Sequence, residues 1–413
     1  MTLRYQERPS MSTESTTATE LPVLDDDPFG TAILTDPYDF HQRLRDAGPV
    51  VFLPRYEVYA MGRHEHVHAS LVDWETFVSS RGAGLTDFQK EKPWRPPSLL
   101  LESDPPDHTA VRTVMGSVIS PRTVRGLRTQ FQAEADALVD ALIERETIDA
   151  VTDLAEVYPL KVFPDAVGLP ADGRHNLLPY GALAFNAFGP HNALLESAME
   201  SAAAVREWIW SSCQREALTD SGFGADIWAA ADRGEVSQEQ APLLVRSLLS
   251  AGVDTTVYGI ANTMYALAQN PAEWELLHRE PNLAKFAFDE ALRCESPVQT
   301  FFRTSSRRKT VGGYDIPADA KVLLFLGSAN RDPRKWGESA DEYRITRSGG
   351  GHVAFGMGVH QCVGQPIARL EAEIVLGALA RKVKRIELVD PPTPRLNNTL
   401  KGWAAIPLRL IAR

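Results

Sequence analysis

The stretch FGMGVHQCVG brings together residue types that could do chemistry. Cys362 follows His360 by two residues, and Gly356, Gly358 and Gly364 surround them. Because glycine has no side chain, these positions let a flat, bulky group approach the backbone closely. The next segment, GQPIARLEAEIVLGALARKV, has a proline where a first helical turn tolerates one and an apolar stripe at helical spacing. Cys362 is therefore predicted just before a helix N-terminus, where backbone N–H groups and the helix dipole favour thiolate over thiol.

The role of this cysteine is open from the residues alone. Cys213 and Cys294 are distant in sequence, and the total of three cysteines is odd. This usage is typical of a reducing compartment, so we predict a cytoplasmic protein without a disulfide framework. A zinc site would need more ligands than His360 supplies, and a redox nucleophile usually has a second cysteine or a histidine base nearby. A structural thiol, a nucleophile and a metal ligand remain as alternatives.

Two charged pairs lie at helical spacing in other segments. Glu290 and Arg293 are three residues apart in FDEALRCESP. The ordinary interpretation is a surface ion pair, whereas the apolar neighbours favour a buried bidentate pair. His108 and Arg112 are four residues apart in LESDPPDHTAVR, on the predicted first turns of a helix. This pattern by itself is that of an exposed pair.

A long apolar helix is predicted over APLLVRSLLSAGVDTTVYGIANTMYALAQNP, ending at Pro271. Ser247, Ser250 and Asp254 are spaced i, i+3 and i+7, so they are expected to share one face of this helix. Satisfied core polar groups are the alternative interpretation. The Thr255 hydroxyl can bond to a backbone carbonyl and open the helix locally.

The other predicted elements make the chain mainly α with small β-sheets, an α+β protein. Helices are predicted over PRTVRGLRTQFQAEADALVDALIER, residues 196–218 and PNLAKFAFDEALRCESP. Strands are predicted in VVFLPRYEVYAMG and in RTSSRRKTVGGYDIPADAKVLLFLGSANRDP. No βαβ alternation appears, which argues against a doubly wound fold. The histidines of RHEHVH, residues 63–68, are predicted to form a solvated surface rather than a metal site.

Composition sets the domain organisation and excludes some partners. The chain has 413 residues, a 44% hydrophobic fraction and a net charge of -11. The acidic balance argues against nucleic acid as a partner. No apolar run reaches the roughly 18 residues that a membrane span needs. The Ser/Thr/Glu-rich residues 1–20 are predicted to be a disordered tail, and residues 21–413 a single catalytic domain.

The pattern F-G-x-G-x-H-x-C-x-G resembles the haem-binding signature of the cytochrome P-450 family at every fixed position. The E-x-x-R pair, the histidine–arginine pair and the sequence AGVDTT resemble further motifs of that family, in the same order. The resemblance implies a triangular single-domain fold that holds haem b between the long central helix and the helix of the cysteine loop. Cys362 would be the axial ligand of the iron. Further haem contacts would come from His108, Arg112, Arg303, Phe355, Gly356, His360 and Gly364.

The same resemblance gives roles to the other motifs. The pair Asp254–Thr255 would relay protons during cleavage of dioxygen, and the pair Glu290–Arg293 would brace the cysteine loop. Electrons would come from an iron–sulfur ferredoxin with a ferredoxin reductase, because the chain contains no flavin-binding or iron–sulfur sequence. The predicted docking face for an acidic ferredoxin consists of Arg112, Arg122, Arg125, Arg128, Arg331, Arg334 and Lys335.

The candidate substrate residues are basic, hydroxylic and aromatic. Cationic and hydroxyl groups that converge could hold one carboxylate. Aromatic side chains opposite them could sandwich a flat ring. The first set comprises Arg95, Ser98, Arg246, Ser247 and Ser250, and the second Phe185, Phe188 and Phe301.

Short matches around these residues resemble the bacterial branch of the family that demethylates para-methoxybenzoate. That likeness implies O-demethylation to para-hydroxybenzoate and formaldehyde. The alternatives are the same chemistry on an alkylbenzoate, a cinnamate or a vanillate-like compound, a non-catalytic haem sensor or carrier, and a non-haem enzyme with a cysteine nucleophile.

Overall fold

The computed structural model describes residues 20–347 and 350–413. The predicted disordered tail therefore lies, except for residue 20, outside the described residues. Within them, no helix combines the length and apolar character needed to cross a bilayer.

Helices dominate the described chain, as the sequence predicts. Those of α type are α1 (Thr31–Thr35), α2 (Tyr38–Ala47), α3 (His64–Val72), α4 (Asp107–Val118), α5 (Pro121–Ile143), α6 (Val157–Val167), α7 (Leu177–Asn186), α8 (Ala193–Ser201), α9 (Val205–Ser212), α10 (Phe223–Asp232), α11 (Gln240–Ala251), α12 (Asp254–Gln269), α13 (Pro271–Arg279), α14 (Ala284–Glu295), α15 (Leu326–Ala329), α16 (Pro333–Trp336) and α17 (Gln365–Lys382).

The strands are short and form small sheets. They are β1 (Val51–Leu53), β2 (Val58–Met61), β3 (Phe77–Val78), β4 (Ile148–Asp149), β5 (Thr300–Ser305), β6 (Lys309–Val311), β7 (Tyr314–Ile316), β8 (Lys321–Phe325), β9 (Val383–Leu388), β10 (Thr393–Arg395), β11 (Gly402–Ala405) and β12 (Pro407–Ala412). The largest sheet has the order β1-β2-β8-β5-β3 and is antiparallel except for the pair β2–β8. The predicted mainly α architecture with small sheets is confirmed.

The centre of the molecule is a helical core around α17, which follows the cysteine loop. Its first turn contains Pro366, where the missing N–H costs no helical bond. Ile367, Leu370 and Ile374 are buried on it, as their spacing predicts. Helix α17 packs against α5 and α14, and α14 packs against α12. The cysteine loop and the long central helix are thus fixed to one core.

The predicted long central helix is interrupted. Helix α11 ends at Ala251 and α12 begins at Asp254, with Gly252 and Val253 between them. The Thr255 hydroxyl donates to the Ala251 carbonyl at 2.8 Å. A threonine at this position predicts such a bond together with a local opening of the helix, and both are present.

The prediction of one helix over 196–218 is wrong. The chain forms α8 and α9 there, separated at Ala202–Ala204. Ala202 is buried with Leu183 and Leu195, so tertiary packing at this point overrides the high helix propensity of alanine.

The prediction of a solvated histidine surface at the start of α3 is also wrong. His64 is buried, and its Nε2 lies 2.8 Å from the Gly351 carbonyl oxygen. His66 is half-buried, and burial lowers its pKa. In the part of the chain that is described, these residues do not assemble a metal site.

Candidate active site

The cysteine loop is shaped by two glycines and by its own backbone. Gly356 and Gly358 have φ of 65° and 68°, in the left-handed region that disfavours other residues. A Cβ at Gly358 would lie 3.0 Å from the Leu71 carbonyl oxygen, so this turn also needs glycine for space. The Cys362 N–H donates to the Phe355 carbonyl at 2.8 Å. The loop is therefore closed on itself beneath the thiol.

Of the three cysteines, only Cys362 is exposed. Its thiol faces an interior cavity rather than the outside of the protein. Burial raises the pKa of this thiol, while the N–H groups of Gly364 and Gln365 and the Arg112 guanidinium act to lower it. The predicted thiolate-stabilising groups are thus present, but burial outweighs them in the protein chain alone. A positive centre in the cavity would reverse this balance.

Cationic side chains without counter-ions line the cavity beside the cysteine. Arg303 is buried on β5 and donates only to the Phe302 carbonyl, at 2.8 Å. Burial lowers its pKa to about 10. Arg112 lines the same cavity, and burial lowers its pKa as well. Neither pairs with a carboxylate among the described residues, so both guanidinium groups can bind an acidic group of a ligand.

His108 and His360 lie next to these arginines, with their ring centroids 4.6 Å apart. The His108 Nε2 is buried without a hydrogen-bond partner, and burial lowers the pKa of this histidine to about 4. His360 differs, because its Nδ1 lies 3.2 Å from the Leu100 carbonyl oxygen and its Nε2 3.3 Å from Asp104 Oδ1. Burial acts to raise the pKa of Asp104, but hydrogen bonds from His360, Ser80 and Ser79 outweigh it and lower the pKa to about 2.

Glu290 and Arg293 form the buried bidentate pair that their apolar neighbours favour. Arg293 Nε and Nη2 donate to the two Glu290 oxygens at 2.9 and 2.8 Å, and both residues are at most 1% exposed. Arg347 donates to the same carboxylate at 2.8 Å. Arg347 lies far away in sequence, so no local spacing reveals it.

This pair is connected to the cysteine loop through one asparagine. Arg293 Nη1 donates to the Asn330 carbonyl at 2.8 Å, and the Asn330 side chain accepts from Val353 N–H at 2.7 Å. The Gly356 N–H in turn donates to the Val353 carbonyl at 2.9 Å. The buried charges therefore position the turn that carries Cys362.

The helix opening separates the two residues of the AGVDTT motif. Thr255 lines the cavity together with Ser247 and Ser250, but Asp254 does not. The expectation that Asp254 shares the face of the serines is wrong, because the break at residues 252–253 rotates α12 relative to α11. Asp254 instead points toward a second cleft, lined also by Glu156, Tyr258 and Arg395. Burial, with a smaller contribution from Glu156, raises its pKa to about 7.

Three phenylalanines form an aromatic wall of the cavity. Phe185 lies in the last turn of α7, Phe188 follows that helix, and Phe301 comes from β5. The Phe185 and Phe188 rings are 5.9 Å apart and those of Phe188 and Phe301 5.5 Å, both edge to face. All three line the cavity, as the sequence predicts.

A polar group lies on another part of the cavity wall. Ser98 Oγ is 3.4 Å from Ser247 Oγ, and Arg95 lines the cavity beside them. Arg95 Nη1 is 3.3 Å from Glu102 Oε2, which also accepts from the Ser98 N–H at 2.7 Å. Glu102 thus orients both predicted ligand residues. Its position four residues after Ser98, in an apolar stretch, is the only sequence signal for it.

Arg246 is not part of this cavity wall, in contrast to the prediction. Its Nη2 donates to the carbonyls of Pro96 and Pro97, at 2.8 and 3.2 Å. The residue lies behind the loop that carries Arg95 and faces a separate cleft. Its contribution to the cavity is to hold that loop in place.

Together these residues surround a cavity of about 1600 Å³ between the cysteine loop and the opened central helix. Its floor carries a thiol and unpaired cations, and its far wall an arginine, hydroxyl groups and aromatic rings.

This architecture and site are those of a haem-thiolate oxygenase. The family model described as Cytochrome P450 matches residues 191–401, and the chain belongs to that family. It is a cytochrome P450 monooxygenase.

Relatives of known name agree with this assignment. The chain is 55% identical over 401 residues to cytochrome P450 CYP199A2 of Rhodopseudomonas palustris, covering 97% of each chain. It is 30% identical to the beta-dihydromenaquinone-9 omega-hydroxylase of Mycobacterium bovis, covering 94% of this chain and 79% of the relative. Among solved structures, cytochrome P450 CREJ in complex with (4-ethylphenyl) dihydrogen phosphate matches with a TM-score of 0.84 and 26% identity, over 93% of this chain and 98% of the other.

The family implies a haem-thiolate cofactor, and the residues of the cavity fit it. Haem carries two acidic propionates, and the floor of the cavity offers Arg112, Arg303 and the unpartnered Nε2 of His108. Cys362 is the thiol that faces the cavity beside them.

Proposed function

We propose that this monooxygenase acts on a para-substituted aromatic acid and removes the methyl group of para-methoxybenzoate, giving para-hydroxybenzoate and formaldehyde. The observation that carries the proposal is the combination of Arg95 with Ser98 and Ser247 on one wall of the cavity and three phenylalanines on another. A buried guanidinium with adjacent hydroxyls is suited to a carboxylate, and edge-to-face rings are suited to a flat arene.

The reaction balances with externally supplied electrons. One para-methoxybenzoate, one dioxygen, two electrons and two protons give one para-hydroxybenzoate, one formaldehyde and one water. Haem bound through Cys362 supplies the dioxygen activation and the transfer of one oxygen atom to the methyl carbon. Arg112, Arg303 and His108 would hold its propionates, and Phe355 and Gly356 would pack against it.

The residues of the far wall would decide which atom reacts. The carboxylate would bind to Arg95, Ser98 and Ser247, with Ser250 on the same helix face toward the substrate. Phe185, Phe188 and Phe301 would hold the ring by its faces and edges. Because one end of a rigid molecule is fixed, its para substituent is directed away from the clamp, and positioning selects a single methyl group.

Proton supply would use Thr255 on the cavity side and Asp254 on the other side of the helix. The Thr255 hydroxyl already donates to Ala251, so the opening of the helix holds it at the cavity surface. The pKa of Asp254, about 7, allows this carboxyl to carry and release a proton near neutral pH. The cleft shared with Glu156 and Arg395 would connect it to solvent.

A ferredoxin with its reductase would deliver the electrons. Arg122 and Arg125 are exposed on α5 and suit an acidic partner. Of the other predicted contributors, Arg128 pairs with Glu373, Arg331 with Asp341 and Arg334 with Asp332, and Arg112 lines the cavity. We therefore narrow the proposed docking face to Arg122, Arg125 and the exposed Lys335. The three free cysteines fit a reducing cytoplasm, where we place the reaction.

The test is product formation with a reconstituted chain of NADH, ferredoxin reductase and a [2Fe–2S] ferredoxin. We expect one formaldehyde for each para-hydroxybenzoate from para-methoxybenzoate, and far slower turnover of the uncharged para-methoxybenzamide. Equal rates for acid and amide would contradict the carboxylate clamp. Haem-loaded protein that is reduced but forms no product would favour a sensor or carrier instead.

A second candidate is the same chemistry on an alkyl-substituted aromatic anion. The similar protein CREJ binds (4-ethylphenyl) dihydrogen phosphate, which joins a para-alkyl arene to an anionic group. A panel of para-substituted benzoic acids and cinnamic acids, scored by the haem spin-state shift, separates the candidates. The largest shift with para-ethylbenzoate rather than para-methoxybenzoate would favour this alternative.

A further inference from the structure

The cleft that Arg246 faces lies on the other side of the loop that carries Arg95. Its space, counted together with its opening to solvent, is about 880 Å³, and Arg95 lines both this cleft and the haem cavity. The other charged or aromatic residues of its wall are Trp94, Tyr180, Arg206, Glu207, Trp210 and Arg246. No step of the proposed reaction uses this cleft.

The charge of the cleft is opposite to that of the molecule. Arg95, Arg206 and Arg246 line the cleft with one carboxylate, that of Glu207, and Arg95 also pairs with Glu102, whereas the chain as a whole has a net charge of -11. Among the described residues, Arg206 and Arg246 have no ion pair with a carboxylate. Arg246 uses one nitrogen for the carbonyls of Pro96 and Pro97. A small anion is therefore attracted to this place.

Aromatic surface lies beside these charges. The Trp210 side chain is exposed, with 48% of the residue accessible. The Trp94 ring has two guanidinium groups near it, with Arg95 Cζ at 5.4 Å and Arg206 Cζ at 5.7 Å from its centroid. A cleft lined by the exposed Trp210 indole and by the guanidinium groups of Arg206 and Arg246 can bind an arene and its anionic substituent at the same time.

We propose that this cleft is an outer binding site for aromatic carboxylates. The carboxylate first meets Arg206 and Arg246 while the ring contacts Trp210, and the molecule then passes Arg95 into the haem cavity. The inference rests on the proposed function for its ligand class. It adds a site and an order of binding that the reaction itself does not require.

The test is stopped-flow measurement of the haem spin-state change with para-methoxybenzoate at low ionic strength. Arg206→Gln is compared with the matched control Arg233→Gln, an exposed arginine that pairs with Glu235 outside the cleft. We expect the association rate constant to fall about threefold to tenfold in Arg206→Gln, with a weaker dependence on salt and an unchanged dissociation rate constant. The control variant and the uncharged para-methoxybenzamide should show no such loss.

An unchanged association rate in Arg206→Gln, or an equal loss in Arg233→Gln, would overturn the outer site. Equilibrium dialysis with labelled para-methoxybenzoate keeps this outcome separate from failure of the proposed function. If the wild-type protein shows no spin-state change, the proposed substrate is wrong. In that case, a lower amount of para-methoxybenzoate bound to Arg206→Gln than to the wild type would support the outer site, and an equal amount would overturn it.

Discussion

The cysteine side and the substrate side of the cavity are built in different ways. On the cysteine side, backbone hydrogen bonds and glycine turns hold Cys362, and the buried pair Glu290–Arg293 braces the loop through Asn330. On the substrate side, Arg95 and Ser98 lie on a segment without helix or strand, oriented by Glu102. The cysteine side therefore rests on a buried framework, whereas Arg95 and Ser98, which we propose to select the substrate, lie on a segment without regular structure.

The largest expected effect comes from breaking the framework. Glu290→Ala leaves the buried Arg293 without its carboxylate, which costs about 3–5 kcal/mol for a buried pair. We expect a low ratio of haem to protein and a strongly lowered unfolding temperature, measured by absorbance and calorimetry. The matched control is Asp289→Asn, because the half-exposed pair Asp289–Arg369 should contribute at most about 1 kcal/mol. Normal haem content in Glu290→Ala would refute the bracing role.

The second effect is confined to the substrate side. Arg95→Ala should weaken para-methoxybenzoate binding by roughly 2–5 kcal/mol, the usual loss when one partner of a buried charged pair is removed. The spin-state titration measures it. Haem content should stay close to that of the wild type, whereas thermal stability should fall because the buried Glu102 loses its partner. The uncharged para-methoxybenzamide is the control ligand, since its affinity should change little. Equal losses for acid and amide would show that Arg95 shapes the cavity instead of binding the carboxylate.

The third prediction concerns Asp254, which lies between the two sides. Its pKa, raised to about 7 by burial, means that the folded protein favours the neutral acid more than the unfolded chain does. The contribution of this group to stability is therefore complete at low pH and is lost as the pH rises through 7. In Asp254→Asn the unfolding temperature should fall less than in the wild type between pH 6 and 8. Parallel pH profiles would contradict the raised pKa.

The same variant should turn over more slowly if Asp254 relays protons. Loss of a positioned acid typically costs about a hundredfold in rate, and we expect a fall of that order in kcat with an unchanged spin-state titration. Thr255→Ser, which keeps a hydroxyl at the cavity, is the conservative comparison. Full activity of Asp254→Asn would exclude the relay.

The smallest effect is expected at the surface on the cysteine side. Reversing Arg122 and Arg125 to glutamate should slow reduction by the ferredoxin several-fold and reduce its dependence on salt, because exposed charges act mainly on association. Stopped-flow reduction measures it, with Arg128→Glu as the comparison because Arg128 is already paired with Glu373. Unchanged kinetics in the double variant would move the docking face elsewhere.

The sequence predicts the cysteine side better than the substrate side, for a physical reason. The contacts around Cys362 are short in sequence, and Glu290 and Arg293 are one helical turn apart, so local spacing marks these residues, and the resemblance to the family gives them their roles. The position of Asp254 depends on a helix break at residues 252–253, which an apolar pattern does not show. Arg246 has the right charge but lies behind the loop, and only packing decides which side of a loop an arginine occupies.

Residues that act across long sequence distances are the ones missed. Arg347 meets Glu290 from a distant loop, and nothing in its neighbourhood marks it. Glu102 is visible only as an acid in an apolar stretch, although it contacts both Arg95 and Ser98. Such contacts are consequences of the tertiary fold, so a single sequence without periodicity at these positions does not predict them.

The most direct measurement is a crystal structure of the haem-loaded protein with para-methoxybenzoate. We expect the carboxylate within hydrogen-bond distance of Arg95, Ser98 and Ser247, the ring among the three phenylalanines, and the methoxy group directed toward the side of Cys362. A carboxylate bound elsewhere in the cavity, or a molecule in the reverse orientation, would contradict this expectation.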